Sequence, residues 1–400
     1  MAFIAGLRGT GKFGADERPK NFREMILWMN PNGRAPLFAL SSKMKTETVD
    51  DPEFNWWEET LDIARVVTTV ALANDAATTI TCGGGGCTQF APGDLLLLET
   101  AESASYGQEI VKVVSITSDT AMVVAREQAG TTSTDPTPIG TGVLRIGSSS
   151  AEGSLSPASV SNNPTKFTNY TQIFKTPWEQ TKTALETKYR TGDAWKNDRR
   201  RASFKHSEKI EQALMWGRPS EGTGSNGQPE RTTGGLRSFI SSHNTVFTAD
   251  PTIDTFINAV EGVFDYDADA AGDERIVFCG NRAINFLNKL VVADSSTRVN
   301  YQGEVNAWGM NLTKFRIPQG TLYFKTHPLL NVHPVYNASM FVTNPAGMIW
   351  RPLKNRDTKV EQNIQPNDAD YRKDQFLTEA GLELHFERTF AYIGGFYDHA

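Results

Sequence analysis

Gly6, Gly9, Gly11 and Lys12 give the start of the chain the outline of a phosphate-binding loop, and Gly9, Gly11 and Gly14 match the spacing of a dinucleotide fingerprint. Both motifs work by turning backbone N–H groups toward a phosphate, between the end of a strand and the start of a helix. Only five residues precede Gly6, too few for that strand, and Phe13 stands where a magnesium-holding Ser or Thr belongs. A flexible arm is the expected reading. Asp265, Asp267 and Asp269 imitate the alternating carboxylates of a calcium loop, but Ala270 and Ile276 occupy the positions that need Gly and Glu. A solvated acidic turn is expected instead. Cys82 and Cys87 flank four glycines and could clip a hairpin or supply two zinc ligands. A structural zinc needs four ligands, and no second pair exists, so a glycine-rich turn carrying two thiols is the default.

Nucleophilic and acid–base chemistry find no better support. No Ser sits in a tight elbow with Gly two residues to either side. The histidines at 206, 243, 327, 333, 385 and 399 are scattered without ligand or triad spacing. Glu58 and Glu59 are adjacent and would point to opposite faces of a strand. Asn169, Asn311 and Asn337 head Asn-x-Ser/Thr matches that carry no meaning in an unsecreted chain. No catalytic, cofactor-binding or metal site is expected, and no enzyme.

The elements that would position any site begin with Asp193–Trp216, which reads as one long helix. Asp193 is suited to accept from the open N–H groups of the first turn, and Gly217 and Pro219 supply stop signals. Its apolar stripe is thin: Trp195, Ala202, Ile210, Ala213 and Leu214 fall at helical spacing, whereas Phe204 and Met215 lie off the line. Lys196, Arg199, Arg200, Arg201, Lys205 and Lys209 crowd its first two-thirds, where cations oppose the helix dipole. Such a helix is either a solvated surface element or one laid along a subunit boundary or beside a polyanion.

Composition bounds the class. At 400 residues, with 39% hydrophobic and 22% charged, the chain fits a soluble globular protein of two or three domains. A net charge of −6 excludes a protein that adheres to nucleic acid as a whole, so any such contact must be local. No signal peptide and no membrane-length apolar run is present, and three cysteines point to a reducing cytosol rather than a disulfide scaffold.

The order of segments is a nested insertion. An arm, 1–53, leads to the aromatic strand Phe54–Asp62. From Arg65 to about Ser150 come short Val-, Thr-, Ile- and Leu-rich runs divided by turns, the texture of a small β-barrel or sandwich, followed by a Ser/Pro/Asn linker. The strand pattern resumes at Phe167–Ala184, and the simplest geometry makes the two aromatic stretches legs of one long hairpin. Beyond the basic helix the chain is mixed α/β, with helices expected at 252–264 and 281–292 and a hairpin turning at Pro318, Gln319 and Gly320.

This order, with the Asn163–Lys166 and Asn169–Phe174 stretches, the Gly93–Glu99 run and the charged helix, resembles the major capsid proteins of tailed bacteriophages, in the branch with an inserted β-domain. The resemblance spans essentially the whole chain. It implies an α+β fold of the type first described for phage Hong Kong ninety-seven: an N-terminal arm (1–53), an extended loop (54–64 and 165–190), and an inserted small all-β domain with its linker (65–164). It further implies a peripheral domain (191–240 and 346–400) with its spine helix at 193–216, and an axial domain (241–345). The implied function is a virion shell enclosing double-stranded DNA, built in the host cytoplasm as hexamers and pentamers. A separate scaffolding protein is expected because the arm is short, with a portal and a possible decoration protein as further partners.

Physical reasoning points the same way. An extended hairpin and a detached arm bury little within one subunit, so neighbours must offset their ordering cost. Trp28, Trp56, Trp57, Tyr170, Phe174 and Trp178 lie on these parts and are the candidate contacts between subunits. Lys196, Arg199, Arg200, Arg201 and Lys205 form the candidate basic face, toward an acidic neighbour or packaged DNA without sequence preference. The other readings are a cellular nanocompartment shell of the same fold and a glycan-binding protein with the β-domain as its module.

Overall fold

The computed structural model describes residues 44–59, 64–74, 76–84, 86–100, 108–133, 136–153, 163–266, 273–293, 300–307 and 310–397. Trp28, the glycines near the start, Asp267 and Asp269 lie outside these residues. The chain is α+β and divides into two compact units, Trp57–Lys166 and a larger one made of Met1–Trp56 with Phe167–Ala400.

In the smaller unit six strands run in the order Arg65–Val67, Gly142–Ser148, Asp94–Glu99, Ile110–Ser118, Ala121–Gln128 and Thr79–Thr81. Neighbouring strands in this order all pair antiparallel. The first and last strands meet through a Thr68–Cys82 bridge, with the Thr69 N–H donating to the Thr81 carbonyl at 2.8 Å. That seam closes the sheet into a barrel. Alternation fills its interior: Leu96 and Leu98, Val111 and Val113, and Met122 and Val124 all point inward and are buried. Cys82 and Cys87 are disulfide-bonded, which corrects the expectation of two free thiols. Both cysteines are buried in this core. A polar tie crosses the interior as well: Glu109 takes the Arg126 guanidinium with both oxygens, at 2.7 and 2.6 Å.

The larger unit has two main sheets, beside a two-stranded hairpin of Ser220–Thr223 and Pro229–Thr232. The first is built on the 14-residue strand Tyr371–Leu384, flanked by Gln172–Thr181 on one side and by Met348–Pro352 and Lys359–Glu361 on the other, with Lys45–Thr46 at the far edge. The second has seven strands in the order Asn244–Val246, Ala391–Gly394, Met340–Thr343, Glu274–Cys279, Gly320–Thr326, Met310–Ile317 and Asn300–Ala307. Successive residues of its central strand serve two cores: Ile276 and Phe278 join one cluster, Val277 and Cys279 the other. Burial on both faces is why this strand reads as a continuous apolar run. On one face lies the helix Ile253–Glu261, capped by a Thr252–Thr255 capping box, which buries Ile253, Phe256 and Val260.

The long helix spans Ala194–Trp216, 23 residues, or roughly 34 Å at the α-helical rise. Asp193 accepts from the Lys196 N–H at 3.1 Å, and the Gly217 N–H closes the other end on the Ala213 carbonyl at 2.8 Å. A Cβ on Gly217 would come within 2.3 Å of the Thr233 carbonyl oxygen, so the chain turns there only as glycine. The buried stripe is Ala202, His206, Ile210, Glu211, Leu214 and Met215. It is therefore fuller than the thin apolar line suggests. Two of its members are polar, Met215 belongs to it, and Trp195 and Ala213 are only partly buried.

The expected long hairpin is shorter than its sequence pattern. Glu53–Glu58 pairs with Thr165–Tyr170 in a two-stranded ribbon, and at Thr171 the chain leaves that pairing to join Tyr371–Leu384 as Gln172–Thr181. The parity of burial flips at this point, from Asn169 and Thr171 to Phe174, Thr176 and Trp178. A one-residue shift exchanges the two faces of a strand, so the flip marks a change of sheet.

Candidate assembly surface

The aromatic residues expected to face neighbours separate into two groups. Trp56 is buried, with its ring centroid 5.8 Å from Phe167 and 5.8 Å from Phe239. Phe54 stacks beside it, and a Cβ on Gly381 would come within 2.7 Å of the Phe54 ring. Phe174 lies in the core shared with Ile210 and Leu214 of the long helix. Trp178 packs against Phe376 at 4.9 Å and Trp195 at 5.9 Å. Trp56, Phe174 and Trp178 are thus not exposed contact residues. Strand alternation turns them inward, where they hold the ribbon and its successor strand to their own subunit. Trp57, the next residue along, is 63% exposed, and Tyr170 is half-buried.

The basic residues stand as a group. Lys196, Arg199, Arg200, Arg201 and Lys205 are all exposed. Lys196 reaches Asp193 at 3.5 Å and Arg201 reaches Asp198 at 2.7 Å. The Asp193 carboxyl is held below its ordinary range, chiefly by the Lys196 backbone N–H and then by the Lys196 ammonium. The acidic N-cap Asp193, with Asp198 one turn further in, partly answers the unfavourable placement of cations near this end.

Beneath this face the structure holds polar residues that were not singled out in the sequence. His206 is 3% exposed, with Nδ1 at 3.2 Å from the Thr176 hydroxyl and Nε2 at 2.8 Å from the Thr378 hydroxyl. Burial, aided by the nearby Lys209 ammonium, lowers its pKa to about 4. Glu211 and His327 are fully buried and meet at 2.6 Å. Because the His327 Nδ1 accepts from the Leu329 N–H, its Nε2 carries the hydrogen donated to Glu211. This contact ties the long helix to the turn that follows Gly320–Thr326. At the start of the first sheet Glu47 bonds Arg351 at 2.5 Å, and Arg351 also pairs with Glu383, which His385 contacts from the other side. Burial would raise the Glu383 carboxyl, but His385 and Arg351 outweigh it and hold the group below its ordinary range.

No group of three or more His, Cys, Asp or Glu side chains suited to a metal occurs among the described residues. The grooves along the long helix are shallow and mixed in character. One of them, about 830 Å³, runs between Ile173, Lys175, Lys209 and Trp216. What these surfaces share is breadth rather than convergence on one reacting atom.

Comparison with known proteins decides what such a chain is for. The family model described as SU10 major capsid protein matches residues 7–396. The chain belongs to this family. It is a family of phage major capsid proteins. The major capsid protein of Pseudomonas phage PaMx41 is 25% identical over 376 residues, 90% of this chain and 85% of that one. Among solved structures, the capsid of Myoviridae phage XM1 is similar over 98% of this chain and 100% of that one, at 9% identity and a TM-score of 0.46. The SrpI encapsulin of Synechococcus elongatus is similar over 60% of this chain and 78% of that one, at 11% identity and a TM-score of 0.42. Membership of a structural family, and a phage one, favours neither the nanocompartment nor the glycan-binding reading.

Proposed function

We propose that this capsid subunit builds, through hexamers and pentamers of itself, the icosahedral head that encloses the double-stranded DNA of a tailed bacteriophage. The match of the SU10 capsid family to residues 7–396 carries this reading. Copies meet in part through the outward face of the ribbon at Trp57 and Tyr170. Lys196, Arg199, Arg200, Arg201 and Lys205 lie toward packaged DNA and meet it through phosphates, without reading bases. A separate scaffolding protein, a portal and a decoration protein are the further partners, and assembly takes place in the host cytoplasm before the protein becomes part of the virion.

Trp57 tests the contact. Covering its exposed 63% in an interface removes roughly 130 Å² of mostly apolar surface from water, about 3 kcal/mol per copy before ordering costs. Trp57→Ala is therefore expected to leave a soluble, folded subunit that yields few particles by negative-stain microscopy when the natural assembly partners are co-expressed. Particle yield equal to the parent chain removes Trp57 from the interface. For the basic face, Arg199→Glu with Lys205→Glu should weaken DNA binding by assembled shells and flatten its salt dependence. An unchanged salt slope places DNA elsewhere.

A further inference from the structure

Asn169 is a fully hydrogen-bonded buried side chain of the larger unit, and the shell reading gives it no role. It is 0% exposed and lies one residue before the end of the ribbon strand Thr165–Tyr170. Its Nδ2 donates to the Leu382 carbonyl at 2.6 Å, to the Gly234 carbonyl at 3.2 Å and to the Thr233 hydroxyl at 3.3 Å. Its Oδ1 accepts from the Gly234 N–H at 2.7 Å and the Tyr170 N–H at 2.8 Å. One amide therefore uses both of its donors and both of its acceptor sites on three separate elements.

Those elements are not equivalent. Leu382 belongs to the central strand of the first sheet, while Thr233 and Gly234 form the segment that closes over the end of the long helix. Gly235 N–H donates to the Gly217 carbonyl at 3.0 Å, and a Cβ on Gly235 would come within 2.4 Å of the Ala213 carbonyl oxygen. That segment cannot shift without moving the helix end. Immediately after Asn169 the chain changes sheets, with the Thr171 N–H on the Pro52 carbonyl at 2.8 Å and the Thr171 hydroxyl 3.4 Å from Glu379. The ribbon is a two-stranded sheet, a pairing that is marginal without outside support. Phe54 and Trp56 supply apolar packing along it, and Asn169 adds a polar tie at its root.

We propose that Asn169 is the positioning residue for assembly. It fastens the root of the ribbon to the helix end and the central strand together, so that the ribbon face carrying Tyr170 is presented in one arrangement. This rests on the ribbon being an assembly surface. An aspartate has the same shape but no amide donors, so it would set a carboxylate against the Leu382 and Gly234 carbonyl oxygens. A side chain that only fills space would tolerate that exchange, whereas a fastening donor would not.

The test compares the full-length parent with Asn169→Asp, Asn169→Ala and Thr233→Ala. Hydrogen exchange is read on the unassembled subunit, and particle counts are read with the natural assembly partners. Expected for both Asn169 variants is at least tenfold faster exchange at 53–58 and 165–170, unchanged exchange at 372–384, and at least a tenfold drop in particle yield. Thr233→Ala removes one shared acceptor and should give a two- to fivefold change of the same kind. Parent-like exchange at the ribbon in Asn169→Asp overturns the proposal. If the Asn169 variants are insoluble, Thr233→Ala decides alone, and parent-like exchange in it overturns the proposal too. Should Trp57→Ala assemble normally while Asn169→Asp loosens the ribbon, the interface reading fails and the fastening role stands.

Discussion

Replacing Glu211 by alanine removes the acceptor from a donor that has nowhere else to turn. Both Glu211 and His327 are 0% exposed, so the His327 Nε2–H would remain in a dry site without its 2.6 Å partner. An orphaned buried donor costs roughly 2 kcal/mol, and the lost methylene adds about 0.8 kcal/mol, so Glu211→Ala should destabilise the larger unit by about 3 kcal/mol. Glu211→Gln keeps an acceptor oxygen at nearly the same place and should cost about 1 kcal/mol. Trp216 lies on the same helix, its ring 5.4 Å from Tyr336, and its fluorescence gives a local signal for urea unfolding of the unassembled subunit. The order parent, Gln, Ala is the substance of the prediction. Equal loss in Gln and Ala, or a loss under 1 kcal/mol in Ala, refutes the hydrogen-bond account and leaves only packing at that contact.

Three further outcomes follow from the same structure. His206 has a folded-state pKa near 4 against an unfolded value near 6.5, so the unfolded chain binds the extra proton first, and stability should fall as pH drops from about 6.5 to about 4. That fall amounts to roughly 3 kcal/mol at most and should be reduced in His206→Gln, read by urea midpoints across the pH range; identical profiles refute it. Opening the Cys82–Cys87 disulfide, by reductant or by Cys82→Ser with Cys87→Ser, frees a loop of about six residues and should cost the barrel roughly 2 kcal/mol. Hydrogen exchange at 110–118 and 121–128 would report it, and unchanged rates would show that the barrel does not depend on the bond. Asp193→Ala should speed exchange several-fold in the first turn of the long helix and leave its buried end unaffected.

Much of the architecture was legible because it is written in periodicity. The barrel strands alternate cleanly, the helix Ile253–Glu261 carries its cap and stripe in the expected places, and Asp193 and Gly217 bracket the long helix as read. The long helix's inward face was harder to see, because His206 and Glu211 sit where apolar residues would announce it. The facing hydroxyls of Thr176 and Thr378 for the imidazole, and His327 for the acid, help make those positions suitable for burial. The aromatic stretch misled in a different way. Phe54, Trp56 and Trp57 look alike in sequence, yet alternation buries the first two and exposes the third. The change of sheet after Asn169 did leave a trace, the shift from odd to even burial, but it becomes readable only when the partners of Phe174 and Trp178 are known. The Cys82–Cys87 spacing allowed a clipped hairpin as well as two free thiols, and local sequence could not choose between them.

The barrel's chain enters beyond Glu53–Glu58 and returns through Thr165–Tyr170, two strands that lie side by side. Its entry and exit are therefore adjacent, and any cassette whose own ends lie a strand spacing apart could be spliced there without asking the remainder of the polypeptide to rearrange.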